Sequence, residues 1–178
     1  MQRLSIAILV CTATSTGLNA WAADESPPIE LTAPYSEERN AATTYAGTLN
    51  FYIGRMALSC KPFLRESDAY PGQLVDKWKS EGSNGRFLTA SIAYQGGLLA
   101  AVEKARGKEA MLALLKQIQR EVQSNGQGAV DDQLKGSDAQ KVDTCKQFAI
   151  HVETGALNIT PASSHYPTLM ELAQMLPK

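Results

Sequence analysis

Apolar positions recur at steps of three and four from Ala42 to Cys60, through Tyr45, Ala46, Leu49, Tyr52, Ile53, Met56 and Ala57. That spacing is one face of a long helix. Ser36 with Glu37 and Glu38 predicts its start, a hydroxyl cap with acids in the first turn. Pro62 predicts its end. A short helix over residues 71–80 turns Leu74, Val75 and Trp78 inward, and Glu81-Gly82-Ser83-Asn84-Gly85 reads as a turn. The third helix, residues 86–106, is stopped by Gly107. It carries one stripe of Phe87, Ala90, Tyr94, Leu98, Ala101 and Ala105 and another of Leu88, Ile92 and Leu99, with Ala93, Gly97 and Ala100 as a small-residue edge. A helix apolar most of the way round is expected at the centre. The fourth, residues 108–124, has one clean stripe of Met111, Leu114, Leu115, Ile118 and Val122. Asn125-Gly126 predicts its cap, and the polar, glycine-rich residues 126–136 predict a loop. Ser137-Asp138-Ala139-Gln140 is a capping-box pattern. It opens a fifth helix that runs to Gly155 with Val142, Cys145, Phe148, Ala149 and Val152 inward. Pro167 begins a short last helix holding Leu169, Leu172, Ala173 and Leu176. No strand-like alternation or internal repeat competes, so the expected fold is all-α, an irregular bundle of five to six helices.

The first residues change the picture of where this bundle works. Arg3, the apolar run of residues 4–10 and Ala20-Trp21-Ala22 have the order of a secretory signal, too short for a membrane anchor. Cleavage is expected after Ala22. Cys11 offers a lipoprotein alternative, for which Val10 is a poor preceding residue. Residues 23–35, with Pro27, Pro28 and Pro34, read as an extended leader, and residues 36–178 as a single helical domain. Removing 22 of the 178 residues leaves 156, enough for one core. Cys11 departs with the signal and leaves Cys60 and Cys145. An even pair in an oxidising compartment reads as a disulfide, and both cysteines lie in the inward stripes of their helices. The alternative is two free buried thiols. A zinc site lacks its ligand spacing, so no metal and no cofactor is expected.

Charge removes further classes. Losing Arg3 lowers the 17 basic residues to 16 against 18 acidic, a net of −2 that does not favour nucleic acid. No later stretch is apolar over about 18 residues, so no transmembrane segment is expected. His151 falls off the apolar stripe of the fifth helix, beside Gln147 and Gly155, and His165 sits in Ser163-Ser164-His165-Tyr166. Neither has a carboxylate at pairing distance in sequence, and no G-x-S-x-G elbow supports a serine triad. No catalytic residue is assigned. Glu66-Ser67 and Ala93-Tyr94-Gln95-Gly96-Gly97 resemble motifs of lytic transglycosylases. They stand closer together than that fold requires, Gln95 replaces the family's asparagine, and its Gly-Leu-Met-Gln-type segment is missing. Lys104, Arg106 and Lys108 surround a helix-ending glycine and read as a solvated turn. Asp131-Asp132 lacks the graded ligands of a calcium loop.

On the first helix Gly47, Phe51, Gly54 and Leu58 step by four, three and four along a second face, away from the main stripe. This apolar patch with shallow notches suits a protein partner or a second copy of the chain. Alternatively, residues 156–176 cover it. Phe51-Tyr52-Ile53-Gly54 and Gly72-Gln73-Leu74-Val75-Asp76, with Cys60 between them, resemble pieces of the Tai-type immunity proteins. Those are small periplasmic helical proteins that neutralise amidase toxins injected by rival bacteria. The resemblance spans less than a third of the mature chain, without that family's additional cysteine ahead of the tyrosine-isoleucine-glycine segment. It implies protein-binding and no catalysis. The expected function is therefore a periplasmic or secreted, non-enzymatic interaction protein, an inhibitor or immunity protein against a cell-wall-targeting toxin being its sharpest form. The alternatives are a cell-wall enzyme with Glu66 as its acid, or a structural or stress-linked envelope protein.

Overall fold

The computed structural model describes residues 35–64 and 67–177. The expected signal peptide, the cleavage point after Ala22 and nearly all of the leader lie outside the described residues, as does Glu66. Among the described residues the chain forms six helices and no strand. They are α1 (Glu37–Leu64), α2 (Tyr70–Ser80), α3 (Asn84–Arg106), α4 (Lys108–Gln133), α5 (Asp138–Glu153) and α6 (Tyr166–Gln174). The all-α bundle read from periodicity is the observed fold.

Local chemistry sets several of these ends. Ser36 Oγ accepts the Arg39 N–H at 3.2 Å, which starts α1 where the cap predicts. At α5, Ser137 Oγ accepts the Gln140 N–H, and Gln140 Oε1 accepts the Ser137 N–H at 2.8 Å. This is the reciprocal capping box. Gly107, at φ +84°, turns the chain from α3 into α4 in a conformation that favours glycine.

Two boundaries differ from expectation. Pro62 lies inside α1, which continues to Leu64. Its missing N–H costs only one bond in the last turn, which a helix end tolerates better than its middle. The larger correction concerns residues 126–136. Asn125-Gly126 does not end α4, and helix runs on to Gln133. Val130 anchors that extension in the core, and the Gln127 amide donates to Asp131 one turn on at 2.8 Å.

The long α1, about 42 Å at 1.5 Å per residue, touches all five other helices. Its buried residues are Ala42, Thr43, Ala46, Ile53, Met56, Ala57 and Cys60, nearly all from the expected stripe. α3 touches four helices and is therefore a second centre. One side of it faces solvent all the same: Ile92 is 64% exposed, and Gly96 and Ala100 are exposed. Ala93 and Gly97 of the small-residue edge are buried, so the solvent side falls on the stripe of Leu88, Ile92 and Leu99.

Cys60 and Cys145, both fully buried, are bonded and place their Cα atoms 5.3 Å apart. The bond ties α1 to α5. A second set of ties is polar. Asn84 is fully buried at the start of α3, and its amide donates to Trp78 O and Asn158 Oδ1, both at 2.8 Å. Its carbonyl accepts the Ile159 N–H at 3.0 Å. Trp78 Nε1 donates to Leu157 O at 3.0 Å. These bonds hold the turn after α5 against the α2–α3 junction. Arg86 donates twice to Ala173 O in the last turn of α6, at 2.9 and 3.2 Å. Arg39 pairs with Glu171 at 2.6 Å, and Thr168 donates to Glu38 at 2.9 Å. The C-terminal third is thus fastened to the front of α1 and α3.

Candidate functional site

The face of Gly47, Phe51, Gly54 and Leu58 divides in two. A Cβ on Gly47 would stand 3.4 Å from Val122 Cγ2, and one on Gly126 would stand 2.5 Å from Phe51 Cδ1. Gly47 and Phe51 are one turn apart on α1, as Val122 and Gly126 are on α4. The contacts are therefore reciprocal: the valine sits over the α1 glycine, and the phenylalanine ring over the α4 glycine. Both contacts advance in the same chain direction, so α1 and α4 run parallel. The notches are filled from within the chain, and by α4 rather than by residues 156–176. This close approach also explains why glycine stands in the middle of α4, at a helix-propensity cost of about 1 kcal/mol relative to alanine.

The other half of the face stays open. Gly54 has nothing within 4 Å of where a Cβ would stand, and Leu58 is 54% exposed. Beside them Arg55 Nε donates to Gln127 Oε1 at 3.1 Å, which links the rim to α4. Lys61 pairs with Asp68 near the end of α1, and the cation holds the Asp68 carboxyl below its usual range. Beneath the face lie Met56, Ala57 and Cys60, fully buried. The exposed leucine therefore projects from a helix fixed by a covalent bond two residues away.

The remaining candidates take structural places. Tyr52 is half-buried edge-on to Phe148, with ring centroids 6.2 Å apart, and burial raises its phenol above the usual range. Tyr94 is raised likewise by burial, and its hydroxyl donates to Asn40 Oδ1 at 2.9 Å while accepting the Ser36 N–H at 3.2 Å. His151 is exposed, and His165 packs on the Tyr45 ring with centroids 4.9 Å apart. Asp132 pairs with Lys135 at 2.5 Å on the surface, away from any cluster of ligands. Among the described residues no group of three or more His, Cys, Asp or Glu side chains could hold a metal ion. No described helix is long and apolar enough to cross a membrane.

Sequence reasoning missed two features. Asn84 was expected in a turn and is instead the buried polar hub of the C-terminal third. Its neighbour Gly85 sits in the same tight junction, where a Cβ would stand 2.8 Å from Lys79 O. The second is depth: from 98 to 125 no residue is buried, although this stretch includes the whole expected α4 stripe. The α3–α4 hairpin therefore packs along the flank of the bundle. No family model, curated protein or solved structure matches this chain.

Proposed function

We propose that this protein acts by binding another protein in an oxidising compartment outside the cytosol, as an inhibitor or immunity protein. The observation that carries this reading is the open half of the α1 face. Leu58 is a large apolar side chain more than half exposed, and Gly54 one turn before it leaves an unfilled notch. An apolar knob beside a notch, on a helix stapled through Cys60, is pre-organised for a complementary protein surface. The buried disulfide supports the compartment. The resemblance of residues 51–54 and 72–76 to immunity proteins supports the class of partner.

The test is protection. Exported into the periplasm, the chain is expected to rescue cells from a secreted cell-wall toxin encoded beside its own gene. Leu58→Arg is expected to abolish that rescue while leaving the melting temperature and the disulfide unchanged. Full rescue by the arginine variant, or no rescue by the wild-type chain from any neighbouring toxin, overturns the reading.

A further inference from the structure

Toward the start of α1 the interface with α4 opens. Beside the Gly47–Val122 contact, the small side chains of Ala41, Thr44 and Thr48 leave the space along α4 unfilled. A cleft of about 250 Å³ results, lined by those three residues with Tyr45, Glu121 and Asn125. A second recess of about 100 Å³ lies on the α3 side of the same gap and shares Thr44 and Glu121 with the first. Glu121 is the one ionisable acid or base that lines either space, apart from the Tyr45 phenol. Its carboxylate is exposed and makes no hydrogen bond or ion pair among the described residues. Thr48 Oγ1 is buried and likewise has no partner.

We infer that this cleft receives one cationic side chain, Arg or Lys, from a protein partner. The volume lies below the roughly 300 Å³ at which pockets for drug-sized ligands begin, and it matches a single guanidinium with its methylenes. The walls offer hydrogen-bond acceptors: the Glu121 carboxylate, the Asn125 side-chain carbonyl, and the Thr44 and Tyr45 hydroxyls. A guanidinium offers five donors and no acceptor, an ammonium three, so both complement this set. The aromatic ring of Tyr45 is braced against His165 and adds a π surface that favours a cation. Threonine divides between two χ1 wells in a helix. Rotation can therefore turn the unpartnered Thr48 hydroxyl toward an arriving donor. An anion would meet Glu121 and gain no positive charge in return. The site lies roughly 20 Å along α1 from Leu58, at 1.5 Å per residue. It rests on the protein-binding reading only for the source of the cation.

Titration of the ¹⁵N-labelled, disulfide-bonded chain with N-acetyl-arginine amide tests the site without any toxin. The expected shifts centre on the amides of Thr44, Thr48, Glu121 and Asn125 and saturate in the millimolar range. Glu121→Gln is expected to weaken binding about tenfold, a factor equal to about 1.4 kcal/mol, with no change in melting temperature. The neutral citrulline counterpart is expected to weaken by the same factor. Scattered shifts, equal binding of citrulline, or an unchanged Glu121→Gln affinity overturns the cation site. Free arginine binding much more tightly than its capped form would assign the cleft to a free amino acid and overturn the protein source. Failure here with Leu58-dependent rescue intact would sink the cleft alone, and the reverse result would sink the protein-binding reading alone.

Discussion

Residues 98–125 and residues 145–173 are stretches of similar length, and sequence periodicity ranks them in the wrong order. The first contains the cleanest apolar stripe of the chain, yet none of its residues is buried. The second is shorter in helix and broken by a polar turn, yet it buries Cys145, Phe148, Val152, Ile159, Leu169 and Leu172. The difference lies in what fastens each stretch to the bundle. The later one is tied by the disulfide, by Asn84 and Trp78 at its turn, and by Arg86 and Arg39 on α6. The earlier one is held by side-chain packing and the glycine notches alone. An amphipathic pattern shows which way a helix faces, and long-range ties decide how deep it sits.

Removing the strongest tie is the harshest test of that contrast. Closing a loop of 85 residues contributes roughly 4–5 kcal/mol by the chain-entropy argument. Cys60→Ser is expected to lower the melting temperature by roughly 10–20 °C, at about 2–4 °C per kcal/mol for a chain of this size. Excess reductant should bring the wild type down to the variant. Equal melting of the two without reductant would show that the bond adds nothing to the core.

Asn84→Ala tests the polar tie. The substitution strands the Ile159 N–H, which is buried with the core, and removes two donor bonds to Trp78 and Asn158. Leaving buried groups unsatisfied costs about 1–3 kcal/mol each, so a loss of about 2–3 kcal/mol is expected in urea unfolding. Hydrogen exchange should quicken around residues 155–160 before it does in α4. A loss below about 0.5 kcal/mol, the usual range for a surface substitution, would remove Asn84 from the ties that set depth.

How far these features could be read in advance follows from their range along the chain. Caps and stripes are interactions over three or four residues, so Ser36, Ser137 and the inward face of α1 were legible, and two remaining cysteines allow one pairing. The continuation of α4 through Gly126 was not legible, because the reason for that glycine is Phe51, seventy-five residues earlier. By itself, Asn125-Gly126 has the composition of a cap. Asn84 was illegible for a related reason: two of its three partners, Asn158 and Ile159, are contributed by a turn that follows α5. Of the candidate face, the residues were readable from their spacing. Which half stays open was decided by the position of α4, which no local pattern encodes. The cleft at Thr44 and Glu121 arises between two helices and has no signature in either one.

The gentlest test sets two helical glycines against each other, since their local sequence context gives no reason to expect opposite behaviour. Replacing a helix-interior glycine by alanine stabilises by roughly 0.5–1 kcal/mol where nothing is in the way. Gly54 meets that condition, so Gly54→Ala should unfold at a slightly higher urea concentration. At Gly126 the new methyl group would stand 2.5 Å from the Phe51 ring. Overpacking of this kind costs about 1–3 kcal/mol, which exceeds the propensity gain and should leave Gly126→Ala about 1 kcal/mol less stable. Phe51→Leu in the Gly126→Ala background should recover part of that loss, and a double-mutant cycle reads the coupling directly. Equal stabilisation by both alanines would mean that α4 can shift away from α1 at little cost. The hairpin would then be held even more loosely than its exposure implies, and glycine at 126 would need another cause.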